Sequence, residues 1–345
     1  MELNCPLPIS DTDHVLLGHG SGGRLTHRLI SDIFYPAFRN SLLEQDHDGS
    51  VFSVNAGRLA MSTDSFVVDP IFFPGGDIGD LAVNGTVNDI ACCGAKPLYL
   101  TAGFIIEEGL PLTDLKNIVN SMKEAAEKAG VYIIAGDTKV VERGKCDKIF
   151  INTSGVGVVS EEVDISPKNA KVGDVIICSA PIGVHGITIL STRESLGFEA
   201  TIKSDTTALN KMIEALYTNI KDIHVLRDPT RGGVSSALNE IAAASNVEIV
   251  IDEELLPVPD AVRAASEILG LDPLYIANEG VLLAILPEDR AQEALDIMHR
   301  FPEGGQATVI GSVMSAGNGM VKMKNLYGGY RIIQMLNGDQ LPRIC

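Results

Sequence analysis

Three aspartates in the first half of the chain stand where apolar segments end. Asp64 lies in STDS, Asp89 in VNDIA and Asp137 in AGDTK. Carboxylate oxygens are the ligands that Mg²⁺ prefers, and substrate phosphates commonly complete its coordination shell. A single aspartate of this kind is more typical of a turn or a helix cap. Three of them within one part of the chain predict a site for a metal and a nucleotide.

Two glycine-rich loops could hold phosphate, because each precedes a predicted helix and offers backbone N–H groups. The second, DPTRGG at 228–233, also carries Asp228 and the forked guanidinium of Arg231. Neither loop has the spacing of a Walker A sequence, so a flexible loop and a capped turn are the alternatives. One loop in each half of the chain favours a phosphate ligand held between two domains. The residues of the first loop, GHGSGG, that would contact phosphate are Gly20, Ser21, Gly22 and Gly23.

The chain ends in a cysteine, Cys345, after a stretch without periodicity, NGDQLPRIC. A thiol on such a tail is predicted to be movable, since nine residues can span up to about 30 Å. A chance terminal residue is the alternative. Cys92 and Cys93 are predicted to pack in a helix face of small residues. The cysteines form no CxxC pair, which is typical of a reducing cytoplasm.

Composition narrows the class of partner. The net charge is −18, Trp is absent and aromatic residues make up 5% of the chain. So acidic a surface repels nucleic acid and anionic membranes, and so few aromatic rings make stacking on bases an unfavourable mode. No signal peptide and no membrane-spanning apolar run are recognisable. We therefore expect a cytoplasmic protein that binds neither nucleic acid nor membrane.

Strand-like and helix-like patterns alternate irregularly, which predicts an α+β fold. The clearest helix covers 114–129, where apolar residues recur at helical spacing, with Thr113 as its N-cap and Gly130 as its C-cap. A polar segment with a proline, 161–174, predicts a domain boundary. The expected organisation is an extension, two domains and a flexible tail, with bounds 1–17, 18–160, 174–336 and 337–345.

From Gly18 to Cys345 the chain resembles the HypE family of hydrogenase maturation factors. Only the first 17 residues stand outside this resemblance. That family belongs to the PurM-like superfamily of ATP-using enzymes, with aminoimidazole ribonucleotide synthetase, selenophosphate synthetase and thiamine-phosphate kinase. The matching segments, in chain order, are GHGSGG, STDSFVVDPIFFPGGDIG, NGTVNDIA, GFIIEEGLP, AGDTKVVERG, IFINTSG, LRDPTRGG, ANEG and the terminal PRIC.

The resemblance implies a PurM-like two-domain fold, in which the N-terminal domains of two copies form a β-barrel-like dimer interface. It implies ATP and Mg²⁺ as cofactors, with the metal on Asp64, Asp89 and Asp137. The nucleotide would contact the first glycine loop and several residues of the other motifs. Those residues are Asp64, Asn88, Asp89, Asp137, Thr138, Asp228 and Arg231.

The resemblance also implies a reaction on the chain's own tail. The carbamoyltransferase HypF would load a carbamoyl group onto Cys345, and the chain would use ATP to dehydrate it to a thiocyanate. A HypC–HypD complex would accept the cyanide for the iron of a [NiFe]-hydrogenase. Lys139 and Glu279 are the candidates for polarising the carbamoyl group and removing its proton. The tail would lie inward with Mg²⁺–ATP and outward without it, with Gly338 as pivot and Pro342 as stiffener.

Two other functions explain part of the pattern. A PurM-like kinase or synthetase acting on a diffusible small molecule explains the aspartates and loops but not Cys345. For selenophosphate synthetase, Cys5 lacks the matching glycine-rich motif. A non-enzymatic thiol carrier explains Cys345 alone, and ATP hydrolysis that depends on Asp89 would exclude it.

Overall fold

The computed structural model describes residues 13–20, 24–43, 52, 57–193 and 202–336. Within them the chain forms two large sheets, each with helices packed on it, so the α+β prediction is confirmed. Three residues of the predicted phosphate loop, Ser21, Gly22 and Gly23, lie outside the described residues. So does the whole predicted tail, 337–345, with Gly338, Pro342 and Cys345.

The first sheet has four strands in the order β1-β6-β4-β5. Strand β6 pairs antiparallel with both β1 and β4, whereas β4 and β5 are parallel. Its strands are β1 (Arg58–Phe66), β4 (Ala95–Glu107), β5 (Tyr132–Val141) and β6 (Ile149–Val159), and a small hairpin consists of β2 (Phe72–Phe73) and β3 (Gly76–Asp77). The helices are α1 (Arg24–Leu29), α2 (Tyr35–Phe38), α3 (Ile78–Cys92) and α4 (Leu112–Ala129), with a π-helical turn over Ile30–Phe34.

Helix α4 shows how the sequence builds the covered side of this sheet. Its apolar residues recur every three or four positions, and they are the ones that become buried. The helix begins after Pro111, so the prediction of Thr113 as N-cap is wrong and Thr113 lies in the first turn. The predicted C-cap is confirmed, since Gly130 has φ 75° in the left-handed region that glycine tolerates.

The first sheet has a covered face and an open face, because side chains alternate along each strand. On β1, Ser62 and Asp64 point toward α3, and the preceding Met61 points away. We call the side away from α3 the outward face. It exposes several large apolar side chains, which are Leu59 (53%), Met61 (77%), Ile105 (44%) and Tyr132 (58%).

The second sheet has seven strands in the order β13-β12-β9-β11-β7-β10-β8. The strands are β7 (Asp174–Cys178), β8 (Val225–Arg227), β9 (Val247–Asp252), β10 (Leu283–Pro287), β11 (Thr308–Ala316), β12 (Met320–Lys324) and β13 (Tyr330–Ile333). The helices are α5 (Val184–Arg193), α6 (Asn210–Asn219), α7 (Gly233–Ser245), α8 (Asp260–Leu269) and α9 (Ala291–Met298). Helix α7 packs on one face, while α6 and α9 pack on the other.

Helix α3 joins the two halves of the chain. Asn84 and Asn88 are one turn apart on it and both reach the segment before α6. Asn84 Nδ2 donates to Thr206 Oγ1 at 3.2 Å. Asn88 Nδ2 donates to the Thr207 carbonyl at 3.0 Å, and Asn88 Oδ1 accepts from the Leu209 N–H at 2.7 Å. This helix therefore fixes the junction at which the candidate site lies.

In the described part of the chain, no helix combines the length and the apolar character that crossing a bilayer requires.

Candidate functional site

Four acidic side chains from four different elements meet at the junction of the two halves. Asp64 comes from β1 and Asp89 from α3, while Asp228 follows β8 and Glu279 precedes β10. The charge of Asp89 raises the pKa of both Asp64 and Asp228. The charges of Asp64 and Asp228 in turn raise the pKa of Glu279. We call these four residues the acid cluster. The structure thus brings together two predicted metal ligands, a predicted phosphate-loop residue and a predicted proton acceptor.

The strand register and a side-chain hydrogen bond orient Asp64 and Asp89 toward this junction. Asp64 is level with Thr153 of β6, a buried residue whose hydroxyl donates to the Ala82 carbonyl of α3 at 2.8 Å. The side chain of Asp64 therefore points to the α3 side of the sheet. Ser62, two residues earlier on the same face, donates its hydroxyl to Asp89 Oδ2 at 2.6 Å. This bond holds the Asp89 carboxylate beside β1.

The loop DPTRGG places Asp228 and Arg231 by a tight turn. The Gly233 N–H donates to the Thr230 carbonyl at 2.9 Å, and α7 starts at Gly233. Gly232 has φ 78° and Gly233 φ 61°, a region that side chains disfavour. A Cβ on Gly233 would also stand 2.5 Å from the Leu274 carbonyl oxygen. Both glycines are therefore required for the turn that buries Asp228 and exposes Arg231.

Glu279 is held by the loop that contains it. The neighbouring Asn278 is buried, and its amide donates to the Pro229 carbonyl at 2.8 Å, which ties this loop to the Asp228 loop. The Asp205 carboxylate accepts the Glu279 N–H at 3.2 Å and the Gly280 N–H at 3.3 Å. Sequence reasoning missed Asp205 and the role of Asn278, since both depend on contacts between distant segments.

Burial and mutual repulsion raise the pKa of three members of the acid cluster, Asp64, Asp228 and Glu279. Burial raises the pKa of Glu279 well above its usual range, and the charges of Asp205 and Asp228 raise it further. Burial, and then the charge of Asp89, raise the pKa of Asp228 to about 7. Burial and Asp89 also raise the pKa of Asp64. Asp228 therefore titrates near neutral pH, and all three carboxyl groups bind a proton or a cation more readily than exposed ones.

Arg231 opposes this accumulation of negative charge. Its guanidinium lowers the pKa of both Asp64 and Glu279, although less than burial raises them. Its side chain is exposed, in contrast to the buried Asp228 three residues before it. A forked, exposed donor beside carboxylates suits an anionic ligand that approaches from solvent.

Asn88 turns its amide toward the polypeptide rather than toward an open space. It is 1% exposed, and besides its bonds to Thr207 and Leu209 it donates to the Glu279 carbonyl at 3.4 Å. These partners satisfy its oxygen and both its amide hydrogens. The role of Asn88 as a nucleotide contact stays a prediction, and in this structure the residue links the two halves of the site.

A second predicted group lies at the other edge of the first sheet. The described part of the glycine loop packs on β5, where a Cβ on Gly20 would stand 2.6 Å from the Val140 nitrogen. Beside it is a mainly apolar cavity of about 170 Å³ between the first helices and strands β4 and β5. We call this cavity with the glycine loop the glycine-loop pocket. The cavity is lined by Thr26, Ile30, Phe34, Tyr35, Phe38, Leu43, Ala102, Phe104, Ile133, Ala135, Gly136, Asp137 and Thr138.

Strand alternation separates Asp137 and Lys139 from the acid cluster. Thr138 is level with Phe104 and shares its covered face, whereas Asp137 and Lys139 are exposed on the outward face. Asp64, by contrast, faces α3. Three strand spacings, or about 14 Å, also separate β5 from β1. Within one chain, therefore, Asp137 does not join the other two predicted metal ligands.

The donors fit a hard cation, although they do not form a finished site. Among the described residues, no group of three or more His, Cys, Asp or Glu side chains is arranged to hold a metal ion. The raised pKa values of Asp64 and Asp228 nevertheless show carboxylates that a bound cation would relieve of repulsion. Oxygen donors of this kind suit Mg²⁺, which takes few protein ligands and completes its shell with phosphate and water.

The cysteines of α3 and its C-cap differ from each other. Cys92 is buried as predicted, and its neighbour Cys93 is exposed, so the prediction that both pack in the core is wrong for Cys93. The helix ends at Cys92, which turns the next side chain out of the packed face.

Family models identify both halves of the chain. Residues 46–159 match the N-terminal domain of the AIR synthase related proteins, and residues 171–324 match their C-terminal domain. Carbamoyl dehydratase HypE of Azotobacter vinelandii is 52% identical over 327 residues, which covers 95% of this chain and 96% of the relative. This chain belongs to the HypE family. The resemblance stated from the motifs and the PurM-like fold are both confirmed.

Solved structures of HypE proteins agree with this membership. The structure of hydrogenase maturation protein HypE in complex with ATP has 52% sequence identity and a TM-score of 0.92, covering 96% of this chain and 99% of that one. A HypE–HypF complex has 50% identity and a TM-score of 0.79, covering 89% and 99%. The two domain bounds expected from the sequence, 18–160 and 174–336, stay predictions.

Proposed function

We propose that this chain is an ATP-dependent dehydratase that converts an S-carbamoyl group on its own Cys345 into a thiocyanate. The observation that carries this proposal is the acid cluster with Arg231 beside it, at the junction between the halves of a chain in the HypE family. A relative that is 52% identical over 95% of this chain is named carbamoyl dehydratase HypE. One solved HypE structure contains ATP.

The reaction replaces a poor leaving group by a good one. The carbamoyl oxygen attacks the γ-phosphorus of ATP, and ADP leaves. The C–O bond then breaks, so that the oxygen departs on inorganic phosphate, and both N–H protons are lost as the C≡N bond forms. The products are the S-cyanylated cysteine, ADP and phosphate. Loss of the elements of water is thereby coupled to the cleavage of ATP.

Glu279 is the residue that we propose as proton acceptor. Its raised pKa makes its carboxylate a stronger base than an exposed glutamate, and the charge of Arg231 offsets a small part of that rise. The other candidate, Lys139, lies on the outward face, away from the acid cluster of its own chain. Arg231 would bind the phosphate oxygens on which negative charge develops.

Asp64 and Asp89 would hold Mg²⁺. The metal supplies a counter-charge for the transferred phosphate. Ser62 keeps the Asp89 carboxylate in place for this purpose, and Asp228 adds a further oxygen donor from the second half of the chain.

We propose that the nucleotide base binds in the glycine-loop pocket. A mainly apolar cavity that carries a few polar groups suits a flat heterocycle, and the adjoining loop offers N–H groups for phosphate. Thr138 lines this pocket and is the predicted nucleotide contact best placed to bind the base. The placement of ATP therefore involves both edges of the first sheet.

A homodimer would connect these two edges. The apolar outward face is larger than isolated exposed residues explain, and the outward faces of two copies can cover each other about a two-fold axis. Asp137 lies on this face. We propose that it serves the acid cluster of the second copy, which accounts for its separation from Asp64 and Asp89 in one chain.

The proposed partners are the proteins that would add the carbamoyl group to Cys345 and accept the cyanide group from it. A related HypE has been solved in complex with HypF, and we propose that the corresponding carbamoyltransferase loads Cys345 here. A HypC–HypD complex is the proposed acceptor of the cyanide group, for the iron of a [NiFe]-hydrogenase. The cytoplasm is the proposed site of this exchange.

The proposal is tested on the intact tail. The chain is incubated with carbamoyl phosphate, ATP, Mg²⁺ and the carbamoyltransferase, and the C-terminal peptide is analysed by mass spectrometry. We expect first the mass of a carbamoyl group and then its loss of one water on Cys345. Transfer of phosphate to a diffusible molecule, with the Cys345 peptide unmodified, would support the small-molecule kinase instead.

A further inference from the structure

Three side chains donate hydrogen bonds to the backbone at the end of β13, a set of contacts that we call the grip. After β13 the Gln334 carbonyl accepts a hydrogen bond from Ser235 Oγ at 2.7 Å and another from Tyr275 OH at 2.9 Å. The preceding carbonyl, that of Ile333, accepts from Asn239 Nδ2 at 3.1 Å. All three donors contact main-chain oxygens, and the two bonds to Gln334 use both acceptor sites of its oxygen. The position of the backbone is therefore fixed at this point.

The gripping residues belong to the segments that build the site. Ser235 and Asn239 are one turn apart on α7, and α7 begins directly after Arg231 and Gly232. Tyr275 lies in the loop that continues to Glu279. Any shift of the α7 turn or of the Glu279 loop would therefore move the grip with it.

The chain leaves this grip beside Arg231. A Cβ built on Gly232 would stand 3.7 Å from Leu336 Cβ, so Leu336 passes the turn that presents Arg231. Nine further residues, 337–345, lead to Cys345. A segment of nine residues spans at most about 30 Å, which makes the starting point decide what its end can reach.

We infer that Ser235, Asn239 and Tyr275 form a tail anchor, which positions Cys345 for the acid cluster. This inference rests on the proposed function, because it takes Cys345 as the substrate carrier. The anchor acts on the tether and not on the reacting atoms, so its members are positioning residues. A short tether fixed beside the site keeps the local concentration of its end high.

Release of the anchor has a calculable minimum effect. Pairing of β12 with Ile333 still holds the chain at that residue, so release frees residues 334–336 and lengthens the tether from nine residues to twelve. Length alone lowers the effective concentration only about 1.5-fold, by the −3/2 power dependence. Loss of the fixed exit direction adds to this, and we expect dehydration to slow by about three- to tenfold in total.

The test removes both donors to Gln334 in the double variant Ser235→Ala, Tyr275→Phe. The Gln334 residue is exposed, so water can replace the lost donors and folding should be retained. Conversion of carbamoyl-Cys345 to thiocyanate is followed by rapid quench and mass spectrometry after addition of Mg²⁺ and ATP. The matched control is Ser315→Ala, Tyr327→Phe, in which both residues are exposed and neither belongs to the anchor.

A second reaction separates positioning from general damage. Full-length chains with Cys345→Ala are supplied with the carbamoylated free peptide NGDQLPRIC. The anchor predicts a slower reaction on the attached tail and an unchanged reaction on the free peptide. An attached-tail rate within 1.5-fold of that of the control would overturn the anchor. An equal fall in both reactions would overturn it as well, because it would indicate distortion of the site.

A third measurement does not require the dehydration to occur. The anchor predicts that the backbone N–H vectors of residues 335 and 336 become more mobile in the double variant than in the control, which ¹⁵N NMR relaxation measures as lower order parameters. Unchanged order parameters would overturn the anchor whatever the reaction does. Absence of thiocyanate in the unmodified chain, together with lower order parameters in the variant, would instead contradict the proposed function and leave the anchor intact.

Discussion

The acid cluster and the outward face of β5 carry similar side chains in opposite surroundings. Asp228 and Glu279 are buried among other carboxylates, and their pKa values are raised. Asp137 and Lys139 are exposed on a strand whose neighbours on that face include Ile105. Motifs of equal prominence in the sequence thus lie in different environments. The first region has the buried carboxylates expected of a reaction site, and the second is an exposed surface that we propose a second copy covers.

The largest effect is expected from the metal ligands of the acid cluster. We expect Asp89→Asn to fold and to lose ATP hydrolysis by a factor of about 10² to 10³, since a lost ligand to a charge-neutralising metal costs several kcal/mol. The exposed Asp222→Asn serves as the matched control. ATPase activity near that of the control would show that Asp89 is not a metal ligand. The acid cluster would then not be the reaction site.

Mixed dimers test whether the acid cluster and Asp137 form one site shared by two copies. If Asp137 serves the acid cluster of the second copy, a mixture of Asp89→Asn and Asp137→Asn chains forms some dimers with one intact site. With random exchange of subunits we expect about a quarter of the unmodified activity, although each variant alone is inactive. The measurement is ATPase activity after the two variants are unfolded, mixed and refolded. No recovery in mixed dimers of proven composition would contradict a shared site.

The acid cluster should also make the stability of the chain depend on pH, unlike an exposed aspartate. Asp228 has an ordinary pKa of 3.8 that the fold raises to about 7, so the folded chain binds this proton more tightly than the unfolded chain. Stability from this group is thus complete below about pH 4 and is lost as the pH rises toward 7. We expect Asp228→Asn to raise the free energy of unfolding at pH 8 by on the order of 2 kcal/mol, and to change it little near pH 4.5.

The matched variant is Asp222→Asn, outside the acid cluster. Because Asp222 is exposed, we expect a change below about 0.5 kcal/mol at either pH. Urea unfolding in the absence of divalent metal provides both values. An equal response of the two variants would mean that the burial of Asp228 does not govern its charge.

A smaller effect concerns the access of reagents to the tail. We expect Mg²⁺ and a non-hydrolysable ATP analogue to slow alkylation of Cys345 several-fold, because the nucleotide favours the inward tail. Cys5, Cys93 and Cys146 are replaced by serine, so that the remaining cysteines described by the structure, Cys92 and Cys178, are buried. An unchanged rate, with binding of the analogue established separately, would contradict the inward and outward model and leave the dehydratase proposal unaffected.

The sequence contained more information on these regions than its motifs alone convey. Period-two alternation backward from the buried Val140 already predicts that Thr138 points inward and that Asp137 and Lys139 point outward. Helical spacing likewise predicted the buried face of α4. What grouped Asp137 with Asp64 and Asp89 was position at the end of an apolar segment, which says nothing of the face that a side chain takes.

Other features could not be obtained from local patterns. Asp205 accepts N–H groups from a loop 74 residues away, and no motif marks it. Strand β13 escaped prediction because four residues at a sheet edge carry little periodic signal, and with it the grip on Gln334 was missed. The role of Asn88 between the two halves depends on segments that meet only in the folded chain.

We propose above all that the acid cluster acts on Cys345 of its own chain. The most direct measurement is the mass of the C-terminal peptide from a single turnover, in which purified carbamoyl-Cys345 protein receives Mg²⁺ and ATP. We predict a loss of about 18 Da on Cys345, in step with the formation of one equivalent of phosphate, and no such loss in Asp89→Asn. Phosphate release with the carbamoyl mass unchanged, or equal loss of water in Asp89→Asn, would contradict the account.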